Sequence, residues 1–330
     1  MKIKYLFIGL LSAVLLFGAF LAVKLYKLKQ SVLAFENKWE KREIIKQKRI
    51  SFTETLTVLP LVNWHKSDSA LKSEMGVSYL IQTDQETILF DLGQNKDQES
   101  PSPLEWNMKL LRVTLEKIDT IFLSHSHFDH VGGRTFERLG SFSLGNTQVS
   151  LKDKKIYSPV DLKYPDAVVT TIHGPQEIGT GIASLGPISR ALFIGNIEEQ
   201  ALIVNVKGKG LVIFSGCGHQ TLSKIISRTK ESFDTPIYGI IGDLHYPIPD
   251  GRMIFMGLNL QSIFASGNGP LDQITEEDLN SDIELLKKEN IKLFALGGHD
   301  SSDAVISRME KIFGEKYKRV MIGSIIEVAK

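Results

Sequence analysis

The chain opens on an apolar run. "YLFIGLLSAVLLFGAFLAV", residues 5–23, holds 19 positions without a charge. At 1.5 Å per residue, a helix of that length roughly spans the ~30 Å hydrocarbon layer of a bilayer. A secretory core is shorter, about 7 to 15 residues, and ends at a small-x-small cleavage site. "GAFLA" is a poor one, so the run reads as an uncleaved anchor, with a cleaved signal or a buried soluble helix as alternatives. "SVLAFENKWEKREIIKQKRI" (31–50) is read as a charged helical stalk, most simply a solvated linker helix, whose bases could touch anionic lipid heads. From residue 51 the period shortens. "TETLTVLPLV" alternates as a strand does, and "VSYLIQTDQETILFDLG" reads as a hairpin. "EWNMKLLRVTLEKI" is spaced as a helix, and "DTIFLS" is a short apolar strand. "QALIVNVKGKGLVIFSG" is a second hairpin, turning at "KGKG". Strands "PIYGIIG", "IKLFALGG" and "RVMIGSIIEV" then alternate with helices "TLSKIISRTKES", "TEEDLNSDIELLKKEN" and "SDAVISRMEKIFGE". "PISRALFIGNIEE" and "PIPDGRMIFMGLNLQSIFASGNGP" show no period and read as long loops of the kind that line sites. Hairpins first and strand–helix alternation later fit two sheets with helices outside. The boundaries are a short tail 1–4, an anchor 5–23, a stalk 24–50 and one domain 51–330.

Charge changes this picture in one respect. Residues 1–30 hold five lysines and no acid, whereas residues 51–330 hold 28 bases against 35 acids. An acidic body argues against nucleic acid as a partner. Six bases follow the span before residue 43 and two precede it. The positive-inside rule would keep the domain cytoplasmic, but long domains cross largely regardless of charge, so the side is left open. The single cysteine, Cys217, excludes an internal disulfide framework, and none lies near the N-terminus to carry a lipid. Nothing in the chain indicates an oligomeric state.

The candidate chemistry gathers in "IFLSHSHFDHVGG" (121–133), which holds three of the chain's eight histidines. The apolar strand ends there. Side chains two apart in extended chain point the same way, so His125 and His127 can meet one ion. Asp129 and His130 follow a turn and can face a second, while "VGG" lets the backbone fold back. Nitrogen and oxygen donors without thiolates suit zinc, with manganese or iron as alternatives. A core would have to satisfy all these polar groups at once, which makes a purely structural role a poor explanation.

"SHSHFDHVGG" resembles the His-x-His-x-Asp-His signature of the metallo-β-lactamase superfamily. "EMGVS" (74–78), "FDLG" (90–93), "GCGH" (216–219), "GDLH" (242–245) and the terminal "HDSSDAVISRMEKIFGEKYKRVMIGSIIEV" resemble the hallmarks of one branch. That branch comprises proteins similar to the dihydropterin-methyl-ribofuranosylaminobenzene phosphate synthases. The likeness runs from about residue 55 to the C-terminus. It implies the α/β fold class, a four-layer αββα metallo-β-lactamase sandwich, here preceded by one N-terminal transmembrane helix. It also implies two metal ions, zinc first and Mn2+ or Fe2+ as alternatives. His125, His127 and His219 would hold one ion, and Asp129, His130 and His299 the other. Asp129 would also orient the attacking hydroxide. Asp91 would lie beneath as the acceptor for a ligand imidazole. Cys217 is a possible ligand, with simple burial the more ordinary reading. His245 would contact substrate, with metal binding or proton donation as alternatives, and His65 would reach the pocket rim as a substrate contact. The neighbours of these residues depart from the branch pattern, so the resemblance speaks to fold and metal more than to substrate.

The expected activity is a membrane-anchored, binuclear-metal hydrolase of a small ester, lactone or phosphoester, attacked by hydroxide generated between the ions. The alternatives are a synthase-type transferase of the branch's named kind and a non-enzymatic metal-bound sensor. The expected partners are a small-molecule substrate and the membrane, with no nucleic acid.

Overall fold

The structure is a computed structural model that describes residues 2–47 and 50–330. Met1 of the expected tail, and Lys48 and Arg49 of the expected stalk, lie outside the described residues. Helix α1 (Lys2–Glu40) leads the chain. Strands β1 (Leu56–Val62), β2 (Ser78–Thr83) and β3 (Thr87–Phe90) follow, then α2 (Pro103–Leu110), β4 (Thr120–Phe122), α3 (Arg134–Leu139), β5 (Lys155–Ser158) and β6 (Val169–Thr171). The middle of the chain supplies β7 (Gln176–Gly179), β8 (Ile182–Ser184), β9 (Ile188–Leu192), β10 (Gly195–Glu199), β11 (Leu202–Val206) and β12 (Gly210–Ser215). Then come α4 (Leu222–Ser232), β13 (Ile237–Gly242), β14 (Ile254–Phe255), β15 (Leu258–Asn259), α5 (Leu260–Ala265) and α6 (Glu276–Lys288). β16 (Leu293–Leu296), α7 (Asp303–Phe313) and β17 (Ile326–Ala329) close the chain.

Two sheets form, with strand orders β17-β1-β2-β3-β4-β5-β6 and β16-β13-β12-β11-β8-β7. Their side chains sort by the two-residue period of a strand. Tyr79, Ile81, Ile88, Phe90 and Phe122 of the first sheet pack against Leu202, Val204, Val212, Phe214 and Ile241 of the second. The alternate residues Ile203, Leu211, Ile213, Ile240 and Phe294 face helices α4, α6 and α7. On the other outer face, Leu80, Leu89 and Ile121 meet Leu104 and Met108 of α2. Strands buried on both faces explain the near-continuous apolar runs of β11, β12 and β16. Three apolar layers between four structural layers give the αββα sandwich.

Several sequence expectations need correction. The helix expected in "EWNMKLLRVTLEKI" stops at Leu110. Arg112 takes a left-handed φ of 58°, and Val113 N–H closes back on Met108, so only a single turn follows at 115–117. "PISRALFIGNIEE" is the antiparallel hairpin β9–β10. The stretch 247–270 holds the small hairpin β14–β15 and helix α5 rather than a plain loop. In both, tertiary contacts supply the order that local periodicity lacks.

The stalk is not a solvated linker. Leu21, Lys24, Leu25, Leu28, Val32, Phe35, Glu36 and Trp39 are half-buried or buried and recur at helical spacing on one face. Glu36 pairs with Lys224 at 2.7 Å and Arg190 at 3.6 Å. Lys38 donates to Ser189, and Arg42 pairs with Glu231 and covers the Trp39 ring. The second half of α1 is thus a helix of the domain, whereas residues 7–20 are exposed throughout.

Candidate metal centre

Parallel pairing gathers the chemistry at one edge. β3 and β4 run parallel in one sheet, and β12, β13 and β16 run parallel in the other. Their C-terminal ends therefore open side by side, and each is followed by a motif residue. Asp91 follows β3, His125 to His130 follow β4, His219 follows β12, His245 follows β13, and His299 follows β16. The turn after β4 is closed by His130 N–H to His127 O and Gly133 N–H to Phe128 O. Gly132 is required there, because its φ is +83° and a Cβ would stand 1.9 Å from the Ser143 carbonyl oxygen. Gly216 lets the loop after β12 pass directly over Ser124, whose Oγ would lie 2.2 Å from a Cβ.

Two donor triads result. One ligand atom from each of His125, His127 and His219 lies within 4.8 Å of the others, and the same holds for Asp129, His130 and His299. The triads touch, since the rings of His125 and His130 are 4.0 Å apart. A third set overlaps them: Cys217, His219, His245 and Asp300. Cys217 Sγ lies 3.1 Å from His130 Nε2 and 3.3 Å from His299 Nε2, and its thiol donates to Asp300 at 2.8 Å.

Beneath the triads lies a layer of acceptors. Asp91 Oδ2 accepts from His130 Nδ1 at 2.6 Å, and its other oxygen takes the Ser124 N–H at 2.7 Å. Glu199 accepts the backbone N–H groups of Cys217, Gly218 and His219 and so pins the loop that carries two donors. Asp243 accepts the His299 N–H at 3.0 Å and is itself held by Tyr79 and Asn63. Asp91 and His245 both adopt left-handed φ, 56° and 55°, a cost that persists where surroundings dictate the conformation.

Electrostatics separate the triads. Burial holds His125 and His219 well below the ordinary histidine range, and it is the largest cause that brings His127 to about 3 and His130 to about 4. These rings are neutral at pH 7, the form that binds metal. Burial also works against charge on His299, but Asp300, Asp129 and Asp243 outweigh it and lift the imidazole to about 10. Burial pushes Asp129 up; it acts the same way on Asp300, which His299 and His245 nevertheless hold well below the carboxylate range. Burial and then Asp300 raise the Cys217 thiol.

A cavity of about 490 Å³ opens above the triads, lined by His127, Asp129, His219, His245, Arg134 and Asp300 among others. His245 is in it, with Nδ1 3.0 Å from Asp300. His65 is not part of that lining. Its Nε2 lies 3.0 Å from Asp303 Oδ1 instead.

Comparison with known proteins agrees with this geometry. The family profile described as "Metallo-beta-lactamase superfamily" matches residues 72–133. A solved metal-dependent hydrolase of the beta-lactamase superfamily superposes with a TM-score of 0.57 at 17% identity, covering 83% of this chain and all of that one. The metallo-beta-lactamase fold protein YhfI from Bacillus subtilis gives 0.51 at 15% identity, over 83% of this chain and all of its own. The fold is that of the metallo-β-lactamase superfamily. A relative from Methanocaldococcus jannaschii, 7,8-dihydropterin-6-methyl-4-(beta-D-ribofuranosyl)-aminobenzene-5'-phosphate synthase, is 25% identical over 308 residues, spanning 79% of this chain and 92% of its own.

Within this metallo-β-lactamase fold the donors fit divalent metal. His125 Nε2, Asp129 Oδ1, His219 Nδ1, His245 Nε2 and His299 Nδ1 are buried without a hydrogen-bond partner. Buried polar atoms are otherwise nearly always satisfied. Asp300, Glu199 and Asp243 were missed from the sequence. Only Asp300 left a signal there, a carboxylate directly after the histidine that ends an apolar strand. Glu199 and Asp243 act through backbone groups distant in the chain, which no local motif encodes.

Proposed function

We propose that the chain is a membrane-anchored, two-metal hydrolase of a small ester, lactone or phosphoester. The observation that carries this reading is the meeting of two donor triads, 4.0 Å apart at His125 and His130, on the floor of an open cavity. His125, His127 and His219 would hold one ion, and Asp129, His130 and His299 the other, with Cys217 and Asp300 within reach of the second. Two zinc ions there would lower the pKa of water and offset the charge that develops on the attacked carbonyl or phosphoryl oxygen. Hydrolysis adds water across the scissile bond. The oxygen goes to the acyl or phosphoryl centre and the proton to the leaving oxygen. Asp129 Oδ1, free of protein partners, is the acceptor for the water's proton. His245, held through Nδ1 by Asp300, presents Nε2 as the donor to the leaving oxygen. Residues 5–23 would anchor the chain and residues 51–330 form the catalytic domain. The exposure of residues 7–20 along a helix long and apolar enough to span supports the anchor.

The test is a screen of generic ester, lactone, phosphomonoester and phosphodiester substrates with zinc or manganese, alongside metal analysis. Two ions per chain and turnover that disappears with chelator are expected. A metal-free protein inactive on every class would overturn the reading. The match to most of the synthase's length favours a second reading, a synthase-type transferase. Group transfer between two substrates without any hydrolytic turnover would replace the first reading by the second.

A further inference from the structure

The cavity above the triads lies where α1 leaves the domain. β9 runs along the helix, with Ser189 at Lys38 and Arg190 at Glu36. It ends with Phe193 under the Lys24 ammonium, 4.3 Å from the ring centroid. Lys24 is the first charge after the apolar run, so the tip of the β9–β10 hairpin stands level with the end of the span. Phe193 stacks on Phe264 of α5 at 5.3 Å. The next residue, Ile194, is 54% exposed and lines the cavity together with Phe264, Leu260 and Met253.

Beside these lies an apolar hairpin with nothing against its outer face among the described residues. Residues 253–258, "MIFMGL", are exposed without a break, and Met256 at the turn is 86% exposed. Leu260 N–H closes the hairpin onto Met253. A contiguous apolar patch of this kind at a cavity mouth marks a contact surface. No acid occurs before Glu36, and the exposed Lys27 and Lys29 flank the exit, a pattern that suits anionic headgroups rather than water-soluble partners.

We infer that this rim, Ile194 with the 253–258 hairpin, is seated in the bilayer that α1 crosses, so that the metal cavity opens within the headgroup layer. The inference rests on the anchor reading above. It follows from continuity. Docking begins at Leu21, inside the apolar run, which leaves no free linker between span and domain. The domain is therefore held against the surface with its apolar rim at the level where the helix enters.

The test uses the full chain in nanodiscs of phosphatidylcholine with anionic phosphatidylglycerol, with nitroxide labels on Leu16→Cys, Ile194→Cys, Met256→Cys and Val168→Cys. Native Cys217 is 1% exposed, and the unsubstituted chain supplies the background signal. Power saturation then compares access by oxygen, which concentrates in lipid, with access by a water-soluble nickel chelate. Oxygen-dominated access at 16, 194 and 256, with nickel-dominated access at 168, is expected. Lipid access at 16 with water-like access at 194 or 256 overturns the inference and leaves the anchor standing. So does poor access by both reagents at 256, the pattern under a second copy of the chain. Water-like access at 16 overturns the anchor reading and the inference with it.

Discussion

His125, His127 and His219 form a triad without a carboxylate, whereas Asp129, His130 and His299 share their space with Asp300 and Cys217. The first triad is neutral and offers imidazole lone pairs. The second is carboxylate-rich, and the carboxylates around His299 hold a proton on it up to about 10. A cation would enter the first triad through the preorganised placement of three rings. It would enter the second by replacing a charge that is already attracted there. Equal fold positions thus give two sites with different reasons for affinity.

The largest expected effect tests the neutral triad. His127→Ala should remove one ion per chain and lower turnover by at least about 1000-fold, since metal activation is worth several kcal/mol. Circular dichroism should be unchanged, because His127 is held by no hydrogen bond to the core. Two retained ions with normal turnover would break the assignment. Asp300→Asn tests the carboxylate-rich triad. It should weaken one ion by about 100-fold, the upper range for groups that support ligands, and leave the other ion's affinity unchanged in a metal titration. Equal weakening of both would erase the contrast. Asp91→Asn should cost about 10-fold at the same ion, because it frees the His130 ring to turn; an effect on the His125 triad alone would place Asp91 wrongly.

One further effect lies outside both triads, leaves metal binding untouched and serves as their control. Burial raises Asp282 to about 6, and its carboxylate accepts from Tyr246 at 2.8 Å. A carboxyl raised in the fold contributes stability that is complete below its unfolded value, near 3.8, and is lost as pH rises through about 6. Asp282→Asn keeps an acceptor without the charge. It should be the more stable protein at pH 8 by up to about 3 kcal/mol, and lose that advantage near pH 4, in chemical denaturation. Metal content should not change. A constant difference across that range would show that Asp282 does not titrate as its burial demands.

Some of this was legible because it is local. His125, His127, Asp129 and His130 sit within six positions at a strand end, and the glycines that fold the turn are contiguous with them. The inner and outer faces of the sheets follow from alternation, and helix α6 announces itself by a capping box at Thr275 and Asp278. The docked stripe of α1 was present as Leu21, Leu25, Leu28, Val32, Phe35 and Trp39. The lysines between them read as a solvated stalk, because charge on a helix says nothing of what the other face meets. The hairpin "MIFMGL" carried no period at all.

The sequence by itself determined that two sheets form, that an apolar helix precedes them, and that four candidate metal donors follow one strand. Each depends on spacing along a few residues. Only the tertiary structure decided that β12, β13 and β16 lie parallel beside β3 and β4, and so that His219, His245, His299 and Asp300 meet the motif. It alone set Glu199 and Asp243 beneath the loops and the cavity beside the end of the exposed apolar segment of α1. These are contacts across about 20 to 170 residues of chain, fixed by which buried faces pack together, and no local pattern carries that information.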